Sequence, residues 1–153
     1  EIQKFMGWLT KTHTQPWHVV HKTVGHGHIY QGRYKSFIVN TDQHYLTLMR
    51  YIEQNPLRAK LVKDVNTWQW GSFYRRLHGN FKQKKLLAEW VVSESENYTK
   101  DINMILNKKE LEEVRSSVLK GSPLGGEKWR ESLIDKMNLG YTTRGVGRPK
   151  NGS

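Results

Sequence analysis

The chain has no cysteine among its 153 residues. That excludes a disulfide framework, a thiol nucleophile and any cysteine-based zinc site. It has no apolar run approaching the length of a membrane span, so no membrane partner is expected. Acid is scarce: 14 Asp and Glu stand against 25 Lys and Arg, a formal net charge of +11. Such a field attracts polyanions and releases counterions on binding, which points to nucleic acid. Hydrophobic residues make up 36% of the chain, which limits the core it can build. Position 1 is Glu1, with no initiating Met and no targeting segment, so the sequence reads as a fragment or a domain cut from a longer protein. A soluble, cytoplasmic, nucleoid-associated protein is the expectation.

What is present in quantity is aromatic. Six Trp and seven Tyr occur, and Trp8, Trp17, Tyr30, Tyr34 and Phe37 are interleaved with His, Arg and Lys. This mixture suits base stacking on single strands and hairpins. About half of the rings are expected in the core instead, Trp8, Phe37 and Trp70 among them. His26-Gly27-His28 has the i, i+2 spacing that sets two imidazoles on one face of a strand. The flanking glycines favour a loop over a metal site.

Arg50-Tyr51-Ile52-Glu53-Gln54-Asn55-Pro56-Leu57-Arg58-Ala59 is the most informative run. With Thr41 or Asp42 as N-cap, a helix to Gln54 places Tyr45, Leu48, Met49 and Ile52 at the spacing of a buried stripe. Tyr51 lies round from that stripe beside His44, Thr47, Gln54 and Asn55, so its ring is free for chemistry. Pro56 is expected to stop the helix and present Asn55 at its end. A strand is expected at Ser36 to Val39, with Arg33 and Lys35 just before it sharing one face as a phosphate clamp.

The chain divides near His78 to Lys85, a polar and basic stretch. Residues 1 to 79 form the first part. Residues 80 to 143 form a helical extension, with short helices at Leu86 to Val91 and within Asn97 to Leu106. Longer ones follow at Lys108 to Lys120, with Leu111, Val114 and Val118 on one side, and at Glu127 to Met137. Gly121-Ser122-Pro123-Leu124-Gly125-Gly126 breaks the last two, which could form a helix-turn-helix or a plain hairpin. Residues 144 to 153 are a basic disordered tail. There Gly147-Arg148-Pro149-Lys150, with Val146 ahead of it, is similar to a degenerate AT-hook; Arg144, Arg148 and Lys150 are its DNA-binding candidates.

Several blocks carry a resemblance by their order and spacing together. They are Gly27-His28-Ile29-Tyr30-Gln31-Gly32-Arg33-Tyr34-Lys35-Ser36-Phe37, the Tyr51 run, Trp70-Gly71-Ser72, Glu110-Leu111 to Ser117, the Gly121 to Gly125 turn and the Gly147 to Lys150 tail. The chain resembles the REP-associated tyrosine transposases, a branch of the one-tyrosine HUH transposases that cut and rejoin single-stranded DNA. The resemblance implies an α+β fold: part of a ferredoxin-like HUH transposase domain, followed by the helical extension. It implies Tyr51 as the nucleophile that forms a 5′-phosphotyrosine link. A phenol is a weak nucleophile at neutral pH, and the resemblance supplies a divalent metal, Mg²⁺ or Mn²⁺, with Asn55 as one ligand. Gln31, Arg33, Lys35 and Arg58 are the implied DNA contacts, and the partner is single-stranded or hairpin DNA. The family's His-x-His strand has no counterpart here, so the metal site is incomplete and the chain alone is expected to be inactive. The alternative is a non-catalytic DNA-binding module or transposase remnant.

Overall fold

The computed structural model describes residues 1–30, 32–92 and 97–144. Gln31, Arg148, Lys150 and the rest of the tail beyond Arg144 lie outside them. The described residues form two compact units, Glu1–Ser36 and the remainder from Phe37 onward.

The first unit is helix α1 (Ile2–Val20) followed by a loop. Pro16 sits inside the helix, which nonetheless continues to Val20. No α1 residue is buried, and Trp8 is 61% exposed, so this ring is not core. His26-Gly27-His28 lies in turns and bends rather than on a strand.

The second unit is helix-rich. Helix α2 (Asp42–Glu53) starts where Thr41 accepts the backbone N–H of His44, and it is followed by a one-turn helix α3 (Asn55–Arg58). Helix α2 ends at its C-cap Gln54, as expected, and Pro56 sits in the first turn of the short helix beyond it, where no N–H is needed from it. A 3₁₀ turn at Val65–Thr67 leads to α4 (Ser72–His78) and α5 (Phe81–Lys85). Short α6 (Tyr98–Asp101), then α7 (Lys108–Lys120) and α8 (Glu127–Lys136) follow, with a 3₁₀ turn at Gly140–Thr143. Asn107 and Glu110 form a capping box at the start of α7, and Gly121 closes it with φ 71°.

The strand expected at Ser36 to Val39 is not formed. Val39 makes an isolated parallel bridge to Leu124, with Asn40 N donating to Leu124 O (2.9 Å) and Leu124 N to Ile38 O (2.8 Å). The ladder does not extend, because its partner is the short connection between α7 and α8, which bends at Gly125 directly after the bridge. The ferredoxin-like sheet is thus not displayed by the described residues. A helix expected at Leu86 to Val91 is also missing; the helix lies earlier, where Asn80 and Gln83 form a capping box. Leu86 and Val91 are exposed.

The core consists of Val65, Phe73, Tyr98 and Ile102, with Leu46, Leu57 and Trp90 packed against it. Phe73 and Tyr98 meet edge to face at 5.7 Å, so the stretch from His78 to Lys85 divides the sequence but not this core. Trp70, by contrast, is 68% exposed. Polar pinning completes the packing. Asp64 Oδ1 accepts from Asn66 N (2.8 Å), Asn66 Nδ2 (2.7 Å) and Asn103 Nδ2 (2.8 Å), and Asn103 Oδ1 accepts from Val65 N (2.9 Å).

Two predictions arise here. Partial burial raises the Asp64 carboxyl, but the hydrogen bonds from Asn66 and Asn103 outweigh it and hold the group below its ordinary value. A folded value below the unfolded one means stability that is present above the ordinary carboxylate range, about pH 4, and is lost as pH falls through the lowered value. Urea melts from pH 7 to pH 2 should show that acid loss, and Asp64→Asn should flatten it. The second concerns Gly125. A Cβ there would meet the Trp129 ring at 2.5 Å and Asn40 Cβ at 2.7 Å. Gly125→Ala is expected to cost about 1–3 kcal/mol, as overpacking does, read as a lower urea midpoint.

Candidate active site around Tyr51

The face by which α2 docks differs from the apolar stripe. Its buried positions are Thr47 and Glu53, with the cap residue Gln54 only 2% exposed, whereas Ile52 is 46% exposed. The physical reason is directional bonding. Gln54 Nε2 donates to Ile102 O (2.8 Å) and Met104 O (2.7 Å), and Arg50 Nη2 donates to the same Met104 oxygen (2.8 Å). The Glu53 carboxylate accepts from the Ser72 hydroxyl, and Gly71 is confined between that carboxylate and Trp68. Thus the Glu53-Gln54 pair ties the tyrosine run to the Trp70-Gly71-Ser72 turn and to the Ile102–Met104 loop. Buried carbonyls left without such donors would be costly, so these polar residues belong to the fold.

Tyr51 stands half-buried on the adjacent side. Arg58 folds back from α3 so that its guanidinium lies 4.1 Å from the centroid of the Tyr51 ring. Arg58 Nη2 donates to the Tyr51 backbone oxygen (2.5 Å) and to Asn55 Oδ1 (2.6 Å). Tyr51, Asn55 and Arg58 are therefore brought together by the spacing of one turn and then three residues. Burial pushes the Arg58 guanidinium below its ordinary value; the Tyr51 hydroxyl pulls it up and Arg115 of α7 pushes it down further. Among the described residues no carboxylate is paired with it; its hydrogen bonds go to the Tyr51 oxygen and Asn55. Arginine stays protonated under these influences, so the tyrosine carries a cation without a paired carboxylate.

The same contacts bear on a metal. The exposed Asn55 side chain turns its amide oxygen to Arg58, and an orientation with its NH₂ toward the guanidinium would set donor against donor. Among the described residues no group of three His, Asp or Glu side chains could hold a cation. By themselves Tyr51, Asn55 and Arg58 bring no such ligand set together.

The other site residues expected from the sequence fall elsewhere. Arg33 and Lys35 belong to the Glu1–Ser36 unit and are exposed; Arg144 is exposed at the end of the last 3₁₀ turn. Gln31, Arg148 and Lys150 lie outside the described residues. Arg115 was not singled out in the sequence. Nothing local marks it: it comes near Arg58 because α2 packs on α7.

No helix among the described residues is long and apolar enough to cross a membrane. No family model, no curated protein and no solved structure matches the chain.

Proposed function

We propose that the chain is part of a single-strand DNA transposase of the tyrosine-nucleophile type, acting on hairpin-forming DNA at the nucleoid, with Tyr51 as nucleophile. The observation that carries this is the Arg58 guanidinium over the Tyr51 ring with no carboxylate paired with it among the described residues. A guanidinium offers planar, paired donors to the non-bridging oxygens of a phosphate and stabilises the charge that develops there. The Tyr51 oxygen bonds to phosphorus as the bond from phosphorus to the 3′ oxygen of the upstream nucleotide breaks. The phenolic proton leaves and the released 3′ oxygen gains one, giving a 3′ hydroxyl and a 5′-phosphotyrosine. Attack by a 3′ hydroxyl on that link reverses the step and rejoins strands. The net charge of +11 supports the polyanionic partner. The ferredoxin-like α+β core belongs to this proposal too, and so does a divalent cation with ligands beyond those described.

The test is a labelled single-stranded hairpin incubated, with and without Mg²⁺ or Mn²⁺, with protein expressed from its whole reading frame. The expected result is a covalent adduct on a denaturing gel whose linked peptide contains Tyr51. Hairpin binding with no adduct under any condition would replace the enzyme with a non-catalytic DNA-binding module.

A further inference from the structure

The Glu1–Ser36 unit is charged one way. It holds five Lys and Arg (Lys4, Lys11, Lys22, Arg33, Lys35) and one carboxylate side chain, Glu1. Its helix leaves large rings in water: Phe5 is 55% and Trp8 61% exposed, and Trp17, Tyr30 and Tyr34 are exposed as well. Simple solvation of a polar face explains the lysines but not these rings.

Two of them, Tyr30 and Tyr34, border a groove. Between α1 and the loop before Ser36 is a cleft of about 830 Å³, with Met6 and Leu9 as apolar wall and Tyr30, Arg33 and Tyr34 on the loop side. A second hollow of about 290 Å³ adjoins it, bordered by Lys11, Thr14 and His28. Tyr30 lines both, together with Thr10 and Gly32, so it stands where the two hollows meet. That ring is held in place: its hydroxyl pairs with His13 Nδ1 at 2.8 Å, and the His13 ring meets it edge-on at 5.8 Å. His13 in turn leans on Trp17 (5.8 Å), and Trp17 lies 4.0 Å from His21.

We infer that this groove is a binding site for single-stranded DNA, in which two successive unpaired bases lodge on either side of Tyr30, one against Tyr34 and the other beside His28. The inference rests on the single-strand reading above but not on Tyr51 chemistry. Each base is planar and apolar on its faces, which suits Met6, Leu9 and the tyrosine rings; the linking phosphates are anionic, which suits Arg33 and Lys11 at the rims. Paired bases do not fit, because a duplex hides the faces that the rings would cover. The side-chain set favours no particular base, since rings read the π-face that every base has.

The experiment uses the full chain and a fluorescent twelve-residue oligothymidylate, with 5-iododeoxyuridine replacing single positions for photocrosslinking. Crosslinks are expected on peptides carrying Tyr30 or Tyr34. Tyr34→Ala, at an exposed position, should weaken binding roughly tenfold, the ordinary loss of one base stack, with the circular dichroism spectrum unchanged. Arg33→Gln should lower the slope of log K against log salt by about one. Crosslinks confined to residues beyond Ser36, or unchanged affinity in both variants, would overturn the groove while leaving single-strand binding intact. A complete failure to bind the oligomer would overturn both. Tenfold tighter binding of oligouridylate would overturn the assignment to DNA.

Discussion

Tyr51→Phe is expected to abolish the covalent protein–DNA adduct outright, while hairpin affinity and unfolding free energy stay where they were, the latter within about 0.5 kcal/mol. The variant removes one oxygen and little else. Arg58 stacks on the ring face at 4.1 Å, which phenylalanine keeps, and although the hydroxyl's own pull on the guanidinium is lost, the hydrogen bonds to the Tyr51 backbone oxygen and to Asn55 remain. The guanidinium therefore stays over the site with its charge in place. What disappears is the atom proposed to bond to phosphorus, and no rate is expected without that nucleophile. The denaturing gel reads the adduct, and a parallel urea melt and hairpin titration read fold and binding. An adduct that persists in the variant would move the nucleophile to another residue.

Phe73→Ala carries the largest stability effect in the molecule, an expected loss of about 3–5 kcal/mol. Phe73 is 2% exposed and lies in the centre of the cluster with Val65, Tyr98 and Ile102. It supports Tyr98, which in turn meets Trp90 at 4.9 Å, and Trp90 meets Tyr45 at 6.1 Å. Deleting the ring opens a cavity that this edge-to-face chain cannot fill by small shifts, since each ring is seated by the next. With domain stabilities of about 5–15 kcal/mol, the second unit would be left marginal. The check is a guanidinium titration followed by tryptophan fluorescence, compared with Leu86→Ala, whose side chain is 78% exposed and whose loss should be small.

The helical register of the second unit was largely legible. Thr41 before a periodic segment marks the start of α2, and Asn107, Glu110 and Gly121 bracket α7 because caps are local chemistry. The capping pair Asn80 and Gln83 marks α5 in the same way, whereas the apolar Leu86 and Val91 lie beyond its end. The docking face of α2 could not be read, since periodicity counts apolar residues and the anchors here are Glu53 and Gln54. Their partners Ser72, Ile102 and Met104 lie 19 to 50 residues away. The same holds for the lone bridge at Val39, whose partner only tertiary contact decides. In the site, the four-residue step from Tyr51 to Asn55 follows from helix geometry. The fold-back of Arg58 depends on the short turn that holds Pro56, and the approach of Arg115 on α7 is long-range.

Hydrogen bonds fix the roll of α2 about its own axis more sharply than apolar packing would. An oily stripe resting on an oily floor tolerates a broad range of angles, whereas amide donors aimed at two carbonyls, and a carboxylate receiving a hydroxyl, lose strength quickly as they turn. An atom about 7 Å from a helix axis moves roughly 1 Å for each 8° of roll. A displacement of about 1 Å at a reacting centre can cost about a hundredfold in rate. The buried glutamine and glutamate act as an angular stop for the phenol, and the exposed Ile52 is left free to vary without moving it.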